Sequence, residues 1–158
     1  MMISTKGRYA LTVMIYLAGH GDGRFVPLKE IAEKEGISEK YLENIISAFS
    51  KENYLEGLRG KGGGYRLTRT PAEYSVGEIL RLVEGPLAPV SCLEQSPNPC
   101  EKAGTCRTLP MWAKLGDMIN RYLDGISLAE FADVMSSGRG GANGRDGADG
   151  ADDGEEEN

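Results

Sequence analysis

Apolar positions along the first fifty residues recur at helical spacing. Ala10, Val13, Met14 and Leu17 follow Ser4 and Thr5, either of which can cap a helix, and the pattern predicts a helix running to about Gly19. Gly21-Asp22-Gly23 forms a turn. Pro27 then opens a second helix, Leu28 to about Glu35, with Leu28, Ile31 and Ala32 on one face, and Gly36 ends it. Ser38 caps a third helix, whose stripe is Tyr41, Leu42, Ile45, Ile46 and Phe49. Two short helices joined by a tight turn containing glycine describe a helix-turn-helix.

The period then changes. Tyr54 to Arg59 reads as a strand, Gly60-Lys61-Gly62-Gly63-Gly64 as a loop, and Tyr65 to Thr68 as the returning strand, which together make a wing. Pro71 breaks the pattern. Ser75-x-x-Glu78 is a capping box opening a helix with Val76, Ile79, Leu80 and Val83 inward. Residues 85–107 read as irregular and hold Pro86, Pro89, Pro97 and Pro99 together with every cysteine of the chain. A segment of that length with no element of its own is usually functional.

Thr108 and Pro110 start a long helix to about Leu123, carrying Met111, Trp112, Leu115, Met118, Ile119 and Tyr122, a stripe suited to a core or to an interface between copies. Ser127-x-x-Glu130 caps a last short helix ending near Met135. From Ser136 onward the chain is Gly, Asp, Glu and Ala with no large apolar residue, so disorder is expected there. The fold class is mainly α with a small β-wing. A winged helix-turn-helix occupies 1–84, a cysteine-bearing loop 85–107, a long helix and a short terminal helix 108–135, and an acidic Gly-rich tail 136–158.

Composition narrows the picture. At 158 residues and 40% apolar, the chain buries only a small core, which association of two copies would enlarge. It has no apolar run of membrane-spanning length, and its start lacks the apolar stretch of a secretion signal, so a soluble cytoplasmic protein is expected, away from membranes. The net charge of −6 argues at first against nucleic acid, but its distribution reverses that. Residues 136–158 carry two arginines and seven acids, whereas residues 1–85 carry twelve Lys and Arg against eleven acids. Between Arg59 and Arg69 stand four cations (Arg59, Lys61, Arg66, Arg69) and no acid. Screening removes distant charge beyond ~10 Å, so the local balance decides phosphate contact.

A helix that reads the major groove presents polar side chains from its first turns. The outward positions here are Ser38, Glu39, Lys40, Glu43, Asn44 and Ser47, with Asn44 suited to adenine and Lys40 to guanine or phosphate. Arg59, at the edge of a loop with four glycines in five positions, suits close approach to phosphate or a narrow minor groove. Those glycines form no phosphate loop of the Gly-Lys-Ser/Thr kind. One histidine, no paired acids in a recognisable motif and no phosphate loop argue against an enzyme with a small-molecule substrate.

The three cysteines, Cys92-x7-Cys100-x5-Cys106, lie within fifteen residues of one another. An odd number without a secretion signal argues against a disulfide framework. Thiolates suit an iron–sulfur cluster, zinc or copper(I), or act as redox thiols without metal.

These features together resemble the iron–sulfur cluster regulators of the IscR type and their winged-helix relatives. The resemblance rests on Ser4-Thr5-Lys6-Gly7-Arg8-Tyr9-Ala10, Val26-Pro27-Leu28, Gly36-Ile37-Ser38 with Tyr41-Leu42-Glu43, and Arg59-Gly60-Lys61-Gly62-Gly63-Gly64-Tyr65, with Lys61 where proline is common. Val76-Gly77-Glu78-Ile79 and the cysteine loop followed by Leu109-x-x-Trp112 complete it, over residues 2 to about 135. It implies a homodimer formed through the long C-terminal helix and bound to an imperfect palindrome in double-stranded DNA. Lys6, Tyr9, Ser38, Lys40, Tyr41, Asn44, Arg59, Gly60 and Lys61 would form the DNA-binding surface. It also implies a [2Fe–2S] cluster on Cys92, Cys100 and Cys106, and repression of cluster-assembly genes. Some relatives, repressors of cysteine metabolism, work without a cluster through a partner protein.

The fourth ligand departs from the family pattern. Where IscR-type regulators have a histidine three places after the last cysteine this chain has Leu109, and where nitric-oxide-sensing relatives have an aspartate in the first helix it has Arg8. Of Glu43, His20, Glu94 and Glu101, the reading favours Glu43, reached from the recognition helix of a partner copy. A carboxylate tied to iron would not be free to face DNA, and loss of the cluster would release it.

Overall fold

The computed structural model describes residues 2–20 and 22–131. The disorder expected of 136–158 and the end of the last short helix near Met135 lie outside the described residues. Five bounded α-helices and one hairpin follow among the described residues, in the order α1 (Thr5–Ala18), α2 (Leu28–Glu35), α3 (Glu39–Lys51), β1 (Leu55–Leu58), β2 (Gly64–Leu67), α4 (Val76–Glu84) and α5 (Leu109–Asp124), and residues 128–131 are also helical. α1 and α3 start where the sequence supplies a side-chain cap, whereas α2 starts after Pro27 without one. The Ser4 hydroxyl accepts from the Gly7 N–H, and the Ser38 hydroxyl from the Tyr41 N–H. Gly36 ends α2 at φ 65, a left-handed conformation that glycine adopts without a Cβ penalty.

The core lies between α1, α2, α3 and the first turns of α4. Ala10, Val13, Met14, Ile31, Leu42, Ile45, Phe49 and Ile79 are fully buried there, while Tyr41 and Val83, expected inward, are half-buried at its edge. A second, smaller cluster of Val76, Leu80 and Leu87 joins α4 to the segment entering the cysteine loop.

β1 and β2 pair antiparallel from Leu55 opposite Leu67 to Leu58 opposite Gly64. The pattern along the chain did not show that the hairpin has a third edge. Val26 and Tyr65 exchange two backbone hydrogen bonds of 2.9 and 2.8 Å, which clamp the wing to the segment leading into α2. Gly64 allows this approach, because a Cβ there would run into the Val26 carbonyl.

Tyr74, fully buried, holds the base of the wing. Its hydroxyl donates to the Tyr54 carbonyl at 2.7 Å and accepts from the N–H groups of Thr68 at 3.1 Å and Arg69 at 3.0 Å. Its own carbonyl accepts from Leu128 N–H at 3.0 Å, and Leu128 is buried in the main core. The chain beyond α5 thus returns to the winged helix. Tyr74→Phe removes a hydroxyl that meets three part-buried main-chain groups, of which the Tyr54 carbonyl and the Thr68 N–H still meet each other at 3.3 Å, so a loss of about 1–2 kcal/mol is expected, read as a lower urea midpoint at unchanged slope.

The capping box expected at Ser75 is half present. The Ser75 hydroxyl accepts from the Glu78 N–H, but the Glu78 carboxylate accepts from Arg69 at 2.9 Å. The reciprocal pattern occurs just upstream, between Thr70 and Glu73. No described helix is long and apolar enough to cross a membrane.

Candidate nucleic-acid interface and cysteine loop

One face of α3 carries Lys40, Glu43, Asn44 and Ser47, all exposed and spaced three or four residues apart. The opposite face, Leu42, Ile45, Ile46 and Phe49, is what fixes the helix in the core. Ser38 is exposed, but its hydroxyl is engaged in capping, at 3.3 Å from the Tyr41 nitrogen.

Open grooves flank α3. A cleft of about 990 Å³ between α1, α3 and α4 is lined by Lys6, Tyr41, Asn44, Lys51 and Arg81 among others. Another, of about 730 Å³, is lined by Lys29 of α2, Glu43 and Ser47 of α3, and Arg59, Gly63 and Gly64 of the wing. The outer face of the third helix therefore shares one surface with the wing edge. Lys29 and Lys51 escaped a sequence reading confined to the recognition helix and the wing. The detectable signal was two lysines flanking the helix-turn-helix.

Tyr9 and Tyr41 meet edge to face, with ring centroids 5.7 Å apart and planes at 89°. Both are half-buried against the core, so the pair fixes α1 against α3 while leaving only its rim open.

The four wing cations divide in two. Arg66 pairs with Glu56, donates to the Gly23 carbonyl at 2.9 Å and lies 4.4 Å over the Phe25 ring. Arg69 pairs with Glu78 and lies 4.1 Å over Tyr74. Burial would lower the Arg69 pKa, but Glu78 and the Tyr74 hydroxyl outweigh it and hold the guanidinium more firmly charged than usual. Both arginines brace the wing. Arg59 and Lys61 are exposed at its tip and have no ion-pair partner among the described residues. Two of the four cations counted from sequence are thus free for phosphate.

The cysteine loop lies on other elements. Leu87 anchors its start, short 3₁₀ turns form at Ser91–Leu93 and Ala103–Thr105, and Gly116 of α5 packs against Pro89. Arg81 of α4 reaches Asn120 at 2.8 Å and pairs with Asp124, while Asn120 donates to the Leu87 carbonyl at 3.4 Å. Loop, α4 and α5 thus form one packed unit.

Cys92, Cys100 and Cys106 are free and half-exposed. A hydrogen bond with the Thr108 side chain, then the backbone there, pulls the Cys106 thiol below its usual pKa. The donor chemistry suits a thiolate-bound cluster. The arrangement does not: the described residues contain no group of three His, Cys, Asp or Glu placed to hold a metal.

The proposed fourth ligands are not gathered with the thiols either. Glu43 lines the groove beside the wing. His20 donates from Nδ1 to the Tyr16 carbonyl at 2.7 Å and faces Glu30 at 4.0 Å, at the far end of α1. Glu94 and Glu101 are exposed on the loop itself.

The helix pair, the clamped hairpin and the shared polar surface define a winged helix-turn-helix DNA-binding protein. The chain belongs to the Rrf2 family, described as an iron-dependent transcriptional regulator, whose model matches residues 3–134. It is similar to the HTH-type transcriptional regulator IscR of Aliivibrio salmonicida, 38% identical over 130 residues, which is 82% of this chain and 76% of that one. It is equally similar to the HTH-type transcriptional regulator CymR of Bacillus subtilis, 38% identical over 133 residues, 84% of this chain and 90% of that one. The solved structure of T. potens IscR superposes with a TM-score of 0.71 at 33% identity, covering 90% of this chain and 94% of that one. The protein is a DNA-binding transcriptional regulator, and its relatives are regulators rather than enzymes.

Proposed function

We propose that the protein acts as a cytoplasmic homodimer that reads an imperfect palindrome in duplex DNA, and that Cys92, Cys100 and Cys106 take up a [2Fe–2S] cluster whose status sets its activity at cluster-assembly genes. The carrying observation is the groove that Glu43 and Ser47 of the exposed α3 face share with Arg59 of the wing, whose Arg59 and Lys61 have no ion-pair partner among the described residues. Lys40 and Asn44 supply base-edge contacts, and Lys6, Ser38, Arg59, Gly60 and Lys61 supply backbone contacts. Tyr9 and Tyr41 contribute their rims and the angle between α1 and α3.

Support for the dimer comes from α5. Met111, Leu115, Met118 and Tyr122 lie along one side of it, exposed at 54, 39, 56 and 70%. A stripe of large apolar side chains at helical spacing is expected to be covered.

Support for the cluster comes from three soft donors on an irregular loop and from the similarity to IscR proteins. A bound cluster would add a redox-active, oxygen-labile group to the protein. The three thiols would have to come together around the cluster, and in this reading Glu43 reaches it from a partner copy.

A second reading has its own observation. The thiols form no three-residue metal group among the described residues, and the Thr108 hydrogen bond lowers the Cys106 pKa, which suits a regulator working through thiol chemistry without metal.

The deciding experiment is the visible spectrum of anaerobically purified protein with iron and sulfide assays, followed by DNA binding with and without the cluster. Bands between about 320 and 600 nm, with iron and sulfide near equal, are expected and should vanish in Cys92→Ser. Colourless protein after reconstitution favours the thiol reading. Glu43→Ala with an unaltered spectrum and unaltered site preference removes Glu43 from the ligand set.

A further inference from the structure

We propose that the acidic stretch Asp146–Glu157 docks on the wing tip of its own chain, covering Arg59 and Lys61 and competing with DNA for them. The wing tip supplies two cations that no carboxylate pairs with among the described residues, although Glu43 lines the same groove as Arg59. Arg66 and Arg69 at its base already have carboxylate partners, and Arg59 and Lys61 have none among the described residues. Between them and beyond them the loop is glycine, with Gly60 and Gly62 at φ 94 and 77, so no side chain shields the two cations.

The complementary charge lies in the same chain. Residues 146–157 hold seven acids and no cation. They begin fifteen residues past Phe131, the last described position, which packs against Val76, Leu80 and Leu87. Fifteen residues span up to about 50 Å at ~3.3 Å each. A globule of this size has a radius of gyration of about 14 Å, so the wing is within reach.

A single exposed ion pair holds little. Seven carboxylates tethered at roughly millimolar effective concentration hold two cations often enough to matter, and the phosphates of a duplex displace them. Such a competitor lowers the apparent affinity for any duplex by one common factor, and added salt removes the effect.

The test uses the full chain. A zero-length carbodiimide should join Lys61 to an acid within 146–157, within one chain as judged by mixing isotopically labelled and unlabelled protein. Duplex DNA should abolish the cross-link. Links only to Lys102 or Lys114, links only between chains, or no link would overturn the proposal. In the second arm all seven acids become amides (D146N, D149N, D152N, D153N, E155Q, E156Q and E157Q). That variant should bind random-sequence duplex about tenfold more tightly than the parent at about 50 mM salt, and within about twofold at about 300 mM. Equal affinity at both salts also overturns it. The proposal rests on the wing's role in DNA contact, but the cross-link is read without DNA. Its absence therefore counts against the docking alone, while undiminished binding by Arg59→Ala counts against the wing.

Discussion

Met118→Asp is expected to leave the protein folded but monomeric. Met118 sits mid-stripe on α5 and is 56% exposed in the single chain, so the substitution removes no core contact and the far-ultraviolet spectrum should not change. In a dimer built on that stripe, the residue enters an apolar interface. Losing its burial costs about 2 kcal/mol, and desolvating a carboxylate adds to that. Two-fold symmetry repeats the loss in the second copy. The dissociation constant of the dimer should therefore rise on the order of a thousandfold or more. Sedimentation at about 10 µM would read it directly, and a variant still dimeric there would place the interface elsewhere. Affinity for a palindrome should fall with it, because one recognition helix then binds without the other, while affinity for a single half-site should be untouched.

Arg59→Ala carries the second large effect. The side chain makes no ion pair among the described residues, so the fold has nothing to lose. Its loss should weaken DNA binding by about 1–3 kcal/mol and, for a phosphate contact, flatten the dependence of log K on log salt by about one unit. A uniform drop across operator variants would mark a phosphate contact, and a drop confined to certain sequences a base or minor-groove contact. Parent-like affinity at moderate salt would take the wing out of the interface. Arg66 gives no such clean reading, because its guanidinium also holds Glu56, the Gly23 carbonyl and Phe25.

The parts of this architecture legible in the sequence are the ones set by neighbours in the chain. Ser4 and Ser38 announce their helices because a cap acts over three residues, and Gly36 ends α2 by its own backbone freedom. The wing showed because its glycines are consecutive. What stayed hidden depends on distant partners. The Val26–Tyr65 bridge joins segments with no shared periodicity, and only Gly64, one glycine among several, betrays it. Arg59 and Arg66 look alike in the chain, and only the fold shows that Arg66 is spent on Glu56 while Arg59 has no ion-pair partner among the described residues.

The candidate site follows the same division. Lys40, Glu43, Asn44 and Ser47 could be placed on one face by counting, and the structure leaves all four exposed, with Glu43 and Ser47 beside the wing and Asn44 on the cleft toward α1 and α4. The cysteine loop resisted, since its spacing names the donors but its arrangement depends on two short 3₁₀ turns and on distant contacts to α4 and α5 that carry no periodic pattern.

Leu128 fills the core of the winged helix from beyond α5, and its N–H is held by Tyr74. The protein is therefore not a DNA-reading module with an assembly arm hung from its end. The chain closes on itself, so the reading head borrows a side chain from past the arm. An exchange of either half with a relative therefore carries the seam at Leu128 along with it.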